Sequence, residues 1–177
     1  MATGIPAAAV TQGTVAFTDI VGFTEYNALR GDDEALALLT LQARLVSEAL
    51  PNDARIVKEL GDGLLLWFAD ACEAVETCLR LQERFEQESG ESMLPLWVRM
   101  GLHSGRQTRR GDDLVGHDVN VAARVVAVAG PGEVLLSDAT RAEIDEQLMA
   151  VSFEELGPVV MKGLPAPVRL YRALRTS

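Results

Sequence analysis

Residues 54–68 read ARIVKELGDGLLLWF, two apolar runs on either side of Gly61-Asp62-Gly63. The runs 54–60 and 64–68 are rich in β-branched, leucine and aromatic residues. The glycines between them permit the backbone angles of a tight turn. The stretch is a β-hairpin with an aspartate at its tip, and the remaining elements are read outward from it.

Upstream, Asp32 to Leu50 has an acidic start, no internal Gly or Pro, and a stop at Pro51, the pattern of a helix. Leu36, Leu39, Ala43, Val46 and Leu50 form one stripe at helical spacing. Leu38, Leu41, Leu45 and Ala49 form a second, nearly opposite. A helix with two apolar stripes is covered twice, by its own domain or by a partner subunit. Further upstream, Thr14–Thr18 (TVAFT) reads as a short buried strand, preceded by a flexible lead-in over 1–13.

Downstream, Asp70 and Glu73 make a capping-box pattern that opens a helix to about Gly90. A strand follows over Leu96–His103, then a Gly- and Arg-rich excursion. A second helix, Asp118 to Ala129, stops at Gly130-Pro131. Strands at Val134–Ser137, Val151–Glu155 and Val168–Tyr171, with a short helix over Ala139–Leu148, end the chain. The order β-α-β-β-α-β with a trailing αβ appendage predicts an α+β fold of the split βαβ (ferredoxin-like) kind, a mainly antiparallel sheet with helices on one face. No repeat, low-complexity tract or interdomain linker interrupts residues 14–177, which read as one domain.

The 177 residues suffice for one sizeable core, with 48% hydrophobic and 24% charged residues, as in globular proteins. Apolar runs fall well short of a membrane span, and MATGIPAAAV lacks the basic start of a secretory signal. A net charge of −10 opposes non-specific binding to nucleic acid or anionic membranes. An anionic ligand would therefore need a local basic cluster. Cys72 and Cys78 lie six apart on one predicted helix and point to different faces, so neither a disulfide nor a metal site is expected. Cytoplasmic thiols are the simpler reading.

Asp19 directly follows the first strand, and Asp62 sits at the hairpin tip. In a split βαβ sheet that strand can lie beside the hairpin, which would bring the two carboxylates together. Such a pair can hold hard divalent cations that are completed by phosphate oxygens; an Asp in a turn can equally serve the turn alone. No Ser-His-Asp or Cys-His set is evident. Asn120 and Arg124, four apart, share a helix face.

TDIVGFT, KELGDG, GLHSGR, DLVGHDVNVAAR and VMKGLPAPV, in that order, resemble the catalytic segments of class III adenylate and guanylate cyclases, and the resemblance runs from about Thr14 to Leu174. The resemblance implies a lyase of signal transduction that makes cyclic AMP and pyrophosphate. It implies that Asp19, Asp62 and the backbone carbonyl of Ile20 bind two Mg²⁺ or Mn²⁺ ions per active site. Asn120 would orient the ribose and Arg124 would meet charge on the α-phosphate. Lys162 and Arg106 would contact the phosphates, while Lys58 and Asp113 would read the base. Lysine only donates and aspartate only accepts, which fits the acceptor N1 and the exocyclic amine of adenine. ATP is thus expected over GTP.

The family also implies a head-to-tail homodimer in which one chain supplies the metal carboxylates and its partner the base- and ribose-binding groups, giving two equivalent sites. Only six residues, Gln107 to Asp112, separate HSGR from Asp113, as in short-arm bacterial members. Asp112 adjoins Asp113, and counting back from Asn120 favours Asp113. His103 is expected to end a strand and His117 to face solvent, neither with a catalytic role. The alternatives are a guanylate cyclase, an inactive cyclase-like nucleotide-binding regulatory domain, and a structural dimerisation module.

Overall fold

The computed structural model describes residues 8–92, 94–146 and 148–176. In chain order the elements are β1 (Val10–Ile20), α1 (Phe23–Arg30), α2 (Asp32–Ala49), β2 (Arg55–Leu60), β3 (Gly63–Phe68) and α3 (Ala71–Ser92). They continue with β4 (Val98–Arg110), β5 (Asp113–Val115), α4 (His117–Val128), β6 (Val134–Ser137), α5 (Asp138–Glu143), β7 (Val151–Val159) and β8 (Val168–Arg175). The sheet runs β2-β3-β1-β4-β6-β8-β7, with β5 paired to the far end of β4. Every pairing is antiparallel except β4 with β6. The β2-β3-β1-β4 half is the split βαβ unit, and β6, β8 and β7 are the appendage.

Alternation along the strands sorts the core into two faces. Ala16, Ile20, Leu66, Met100, Leu102 and Leu136 pack with Leu38 and Leu45 of α2 and Val75, Cys78 and Phe85 of α3. Val15 and Leu65 point the other way, against Val119 and Ala122 of α4. Leu135 and Leu170 meet Val121 and Val125 on that same side. Helices therefore cover both faces, which corrects the expectation of one. The second face has an apolar surface of its own to cover, and Gly101 lets α4 rest directly on β4, since a Cβ there would lie 2.2 Å from the backbone nitrogen of Val126.

Several bounds also differ from the sequence reading. β1 begins at Val10, four residues inside the expected lead-in, because Val10 to Gly13 pair with Thr108 to Gly105 of β4. Residues 1–7 of that lead-in lie outside the described residues. β4 runs to Arg110 rather than His103, since its Gly- and Arg-rich end is held by β1 on one side and β5 on the other. β7 and β8 outlast their predicted ends because they pair along their length, Val151 with Arg175 through Val159 with Val168. α5 stops at Glu143, where Ile144 turns extended and buries its side chain. α1, from the FTEYNALR segment, is absent from the sequence reading; none of its residues is fully buried, and only Phe23 and Tyr26 pack against the core, too short a stripe to mark a helix.

Of the two stripes on α2, Leu38, Leu41 and Leu45 are buried, together with Val46 from the other row. Leu36 is 63% exposed. Asp70 caps α3 as its sequence indicated, its Oδ1 accepting from the Glu73 amide at 2.9 Å. Both cysteines are free, and burial pushes the Cys78 thiol up to about 12.

Candidate active site

Strand pairing decides where the hairpin tip goes. Asp19, near the end of β1, lies opposite Gly63 on β3, and the Ile20 amide donates to the Asp62 carbonyl at 3.1 Å. The two turn glycines act differently. Gly61 takes a left-handed φ of 59°. Gly63 is needed for close approach, because a Cβ there would stand 1.9 Å from the Thr18 carbonyl oxygen. The result places the Asp19 and Asp62 carboxylates side by side. Burial and the Asp19 carboxylate together raise the Asp62 pKa above the usual carboxylate range, while Arg99 pulls the other way.

Three further residues support this pair and escaped the sequence reading. Arg99, directly opposite Asp19 on β4, places Nε and Nη2 each 2.6 Å from Asp19 Oδ2. Gln42, 1% exposed on α2, accepts from Thr18 Oγ1 at 2.9 Å, and its Nε2 lies 3.5 Å from the Asp62 carbonyl. Thr18 Oγ1 in turn accepts from the Leu64 amide at 3.0 Å. Gln42 carried a legible signal, an amide between Leu41 and Leu45 on the apolar side of α2. Arg99 showed only as a charge within a strand.

Two carboxylates facing one guanidinium form a hard-oxygen donor set with excess negative charge, which fits Mg²⁺ or Mn²⁺. Among the described residues no group of three or more His, Cys, Asp or Glu side chains could hold a metal. The pair would thus rely on further oxygens, such as a backbone carbonyl and phosphates, to complete coordination.

Lys58 on β2 and Asp113 at the start of β5 form a second group. Lys58 Nζ is 2.9 Å from the carboxylate, and each side chain is 36% exposed. Lys58 holds the Asp113 carboxyl below its ordinary pKa, helped by the Leu114 amide. Asp112 is in the turn, where its carbonyl accepts from Arg55 at 3.2 Å. Geometry therefore pairs Lys58 with Asp113 and not with its neighbour.

A third group lies along α4. Val121, Ala122, Val125 and Val126 are buried, which turns Asn120 and Arg124 outward into a cleft of about 380 Å³. His117, Ala123, Gly163 and Leu164 line its remainder. The β7–β8 turn that carries Lys162 closes the cleft: a Cβ on Gly163 would lie 3.7 Å from Arg124 Nη2, and Lys162 itself is exposed. Arg106 is an exposed residue of β4 whose amide donates to Asp118 Oδ2 at 2.7 Å, beside the first turn of α4.

His103 does not end a strand. It is buried within β4, its Nδ1 2.6 Å from Ser137 Oγ and its Nε2 3.2 Å from Asp118 Oδ1. Burial lowers its pKa, against the pull of Asp118. Among the described residues no hydrogen bond or ion pair joins the Asp19–Asp62 pair to Lys58–Asp113 or to Arg124. Within one chain the candidate residues fall into three groups that no direct hydrogen bond or ion pair between their side chains joins among the described residues.

A family model described as the adenylate and guanylate cyclase catalytic domain matches residues 5–173. The pH-sensitive adenylate cyclase of Mycobacterium tuberculosis is 33% identical over 176 residues, which cover 98% of this chain and 43% of that protein. This chain thus spans less than half the length of that curated relative. The adenylyl cyclase CyaB from P. aeruginosa superposes with a TM-score of 0.83 at 24% identity, over 96% of this chain and 97% of that one. The guanylate cyclase domain of RhGC from Catenaria anguillulae, solved with GTP, gives 0.81 at 22% identity, over 96% and 100%. The fold is shared by proteins named for either base, so fold alone does not select one.

Proposed function

The chain belongs to the adenylate and guanylate cyclase catalytic-domain family, and from this we propose that it converts ATP to 3′,5′-cyclic AMP and pyrophosphate in sites shared across a head-to-tail homodimer. In this reaction the ribose 3′-oxygen forms a bond to the α-phosphorus. The bond from that phosphorus to the bridging oxygen breaks, pyrophosphate leaves with the electron pair, and the hydroxyl proton passes to solvent.

Asp19 and Asp62, with the Ile20 carbonyl, would hold two Mg²⁺ or Mn²⁺ ions. When bound there, the ions would supply Lewis acidity to the attacking oxygen and balance the phosphate charge. The chain's own side chains do the rest. Lys58 donates to adenine N1, and Asp113 accepts from the exocyclic amine. Asn120 orients the ribose so that its hydroxyl faces the phosphorus. Arg124 offers a planar fork to charge developing on the α-phosphate. Lys162 and Arg106 bind the terminal phosphates, giving an acidic protein the local positive field its anionic substrate requires. No nucleophilic side chain takes part, so positioning and electrostatics carry the rate.

The observation that carries the choice of ATP is the Lys58–Asp113 pair, a donor beside an acceptor on a half-exposed surface. Guanine, with a donor at N1 and an acceptor at O6, would face the wrong partner at both positions. The shared site is supported by the lack of any direct bond joining the three groups among the described residues of one chain; in a head-to-tail dimer a second copy would bring its Asn120 and Arg124 to the first copy's carboxylates.

The test is product formation from ATP and from GTP, with Mg²⁺ and with Mn²⁺, across protein concentration. Cyclic AMP from ATP, rising faster than linearly at low protein, is the expected result. Recovery of activity on mixing D19A and R124A chains would support shared sites, and none would argue against them. Cyclic GMP as the main product would overturn the base assignment; nucleotide binding without any product would point to a regulatory domain.

A further inference from the structure

We propose that Arg99 is a positioning residue for the metal carboxylates, anchored on the C-terminal end of α4 so that it holds Asp19 in one orientation. This rests on the reading of Asp19 and Asp62 as cation ligands given above.

The argument begins with register. Asp19 and Arg99 are direct cross-strand partners on β1 and β4, so their side chains leave the same face of the sheet. Gly101, two residues on and therefore on that face, allows α4 to lie against β4. The last carbonyls of a helix have no partner within it. Here Arg99 Nη1 reaches one of them, Ala127 O at 3.1 Å, and also Ala129 O of the capping residue at 3.4 Å. The guanidinium is thus gripped along one edge by the end of α4. Its other edge, Nε and Nη2, converges on a single oxygen of Asp19, Oδ2, at 2.6 Å each.

Both donors on one oxygen leave the other carboxylate oxygen, Oδ1, unclaimed by Arg99 and able to meet a cation. Asp19 would otherwise rotate, since the neighbouring Asp62 carboxylate repels it. A fixed cation also has an opposing effect, because its charge repels a divalent ion nearby. Arg99 is 30% exposed, so solvent weakens that repulsion, whereas the angular constraint is unaffected by screening. Positioning is therefore the larger effect. Partners of ligating carboxylates commonly change metal affinity 10- to 100-fold when lost.

Lysine separates geometry from charge: it keeps the positive charge but cannot reach the α4 carbonyls and both faces of Oδ2 from a planar fork. The experiment titrates Mn²⁺ into the protein with 3′-deoxy-ATP, which lacks the attacking hydroxyl, and reads free Mn²⁺ by its electron paramagnetic resonance signal. Wild type, R99K, R99M and D19N are compared. R99K and R99M should each bind Mn²⁺ about 10- to 100-fold more weakly, and D19N more weakly still. In turnover assays the Mn²⁺ concentration for half-maximal rate should rise by the same factor for R99K, with kcat largely restored at saturating Mn²⁺. A defect that is merely structural would lower kcat at every metal concentration.

R99K binding Mn²⁺ as wild type does would leave charge, not geometry, as the effect and overturn the proposal. So would R99M binding as tightly or more tightly. If R99M fails to fold, R99K decides. If D19N itself binds Mn²⁺ like wild type, the carboxylates are not the metal ligands, and this inference falls with that reading.

Discussion

Replacing Lys58 by methionine separates what the Lys58–Asp113 pair does for stability from the role in substrate choice proposed for it. In the free protein both side chains are 36% exposed, and an ion pair so hydrated contributes at most about 1 kcal/mol. For a chain of this length that is a shift of about 4 °C or less in Tm. When a purine covers the pair, water can no longer replace a missing partner. Losing the lysine then strips adenine N1 of its donor and leaves the Asp113 carboxylate facing the amine without its counter-charge. Each unpaired group costs about 1–3 kcal/mol, a drop of roughly 5- to 150-fold in kcat/KM for ATP. GTP loses only a mismatched donor, so the ATP-to-GTP ratio should fall by at least a similar factor. The assay is kcat/KM for both nucleotides at saturating Mn²⁺, beside a thermal melt of each protein. An unchanged ratio would refute the base-reading argument. A Tm loss well beyond 4 °C would show instead that the pair is a structural element.

Other perturbations test the frame around the site. Gly63→Ala drives a methyl to within 1.9 Å of the Thr18 carbonyl, forcing β1 and β3 apart; a loss of about 3 kcal/mol or more in urea unfolding, or no folded protein, is expected. Leu38→Ala, from a fully buried position, should cost about 2–5 kcal/mol, whereas Leu36→Ala, 63% exposed, should stay within about 0.5 kcal/mol in the same measurement. His103, faced by Asp118 and His117 on α4 and by Asp138 on α5, is held neutral by burial, with its folded pKa below the ordinary histidine value. The unfolded chain therefore binds the extra proton first, and stability present above about pH 6.5 should be lost as pH falls below it. Urea midpoints at pH 7.5 and 5.5 should show this loss, and it should shrink in a His103→Gln variant.

Local chemistry made much of this chain legible before its structure. The hairpin around Gly61-Asp62-Gly63, the α2 and α3 boundaries, the capping Asp70 and the succession of strands and helices along the first half all rest on signals within about twenty residues. The motifs of the candidate site are equally local, which is why Asp19, Asp62, Lys58, Asp113, Asn120 and Arg124 can be named as candidates from spacing and resemblance. Tertiary structure decided what depends on residues far apart in the chain. Whether Val10–Gly13 is lead-in or strand is set by pairing with β4, nearly a hundred residues away. How closely α4 rests on β4 depends on Gly101 lacking a side chain, a fact that means nothing until a helix approaches. Arg99 and Gln42 gain their places beside the carboxylates only when β4 and α2 close around β1. A sequence records the chemistry a residue can do; long-range packing, which no short window contains, decides which partners it meets.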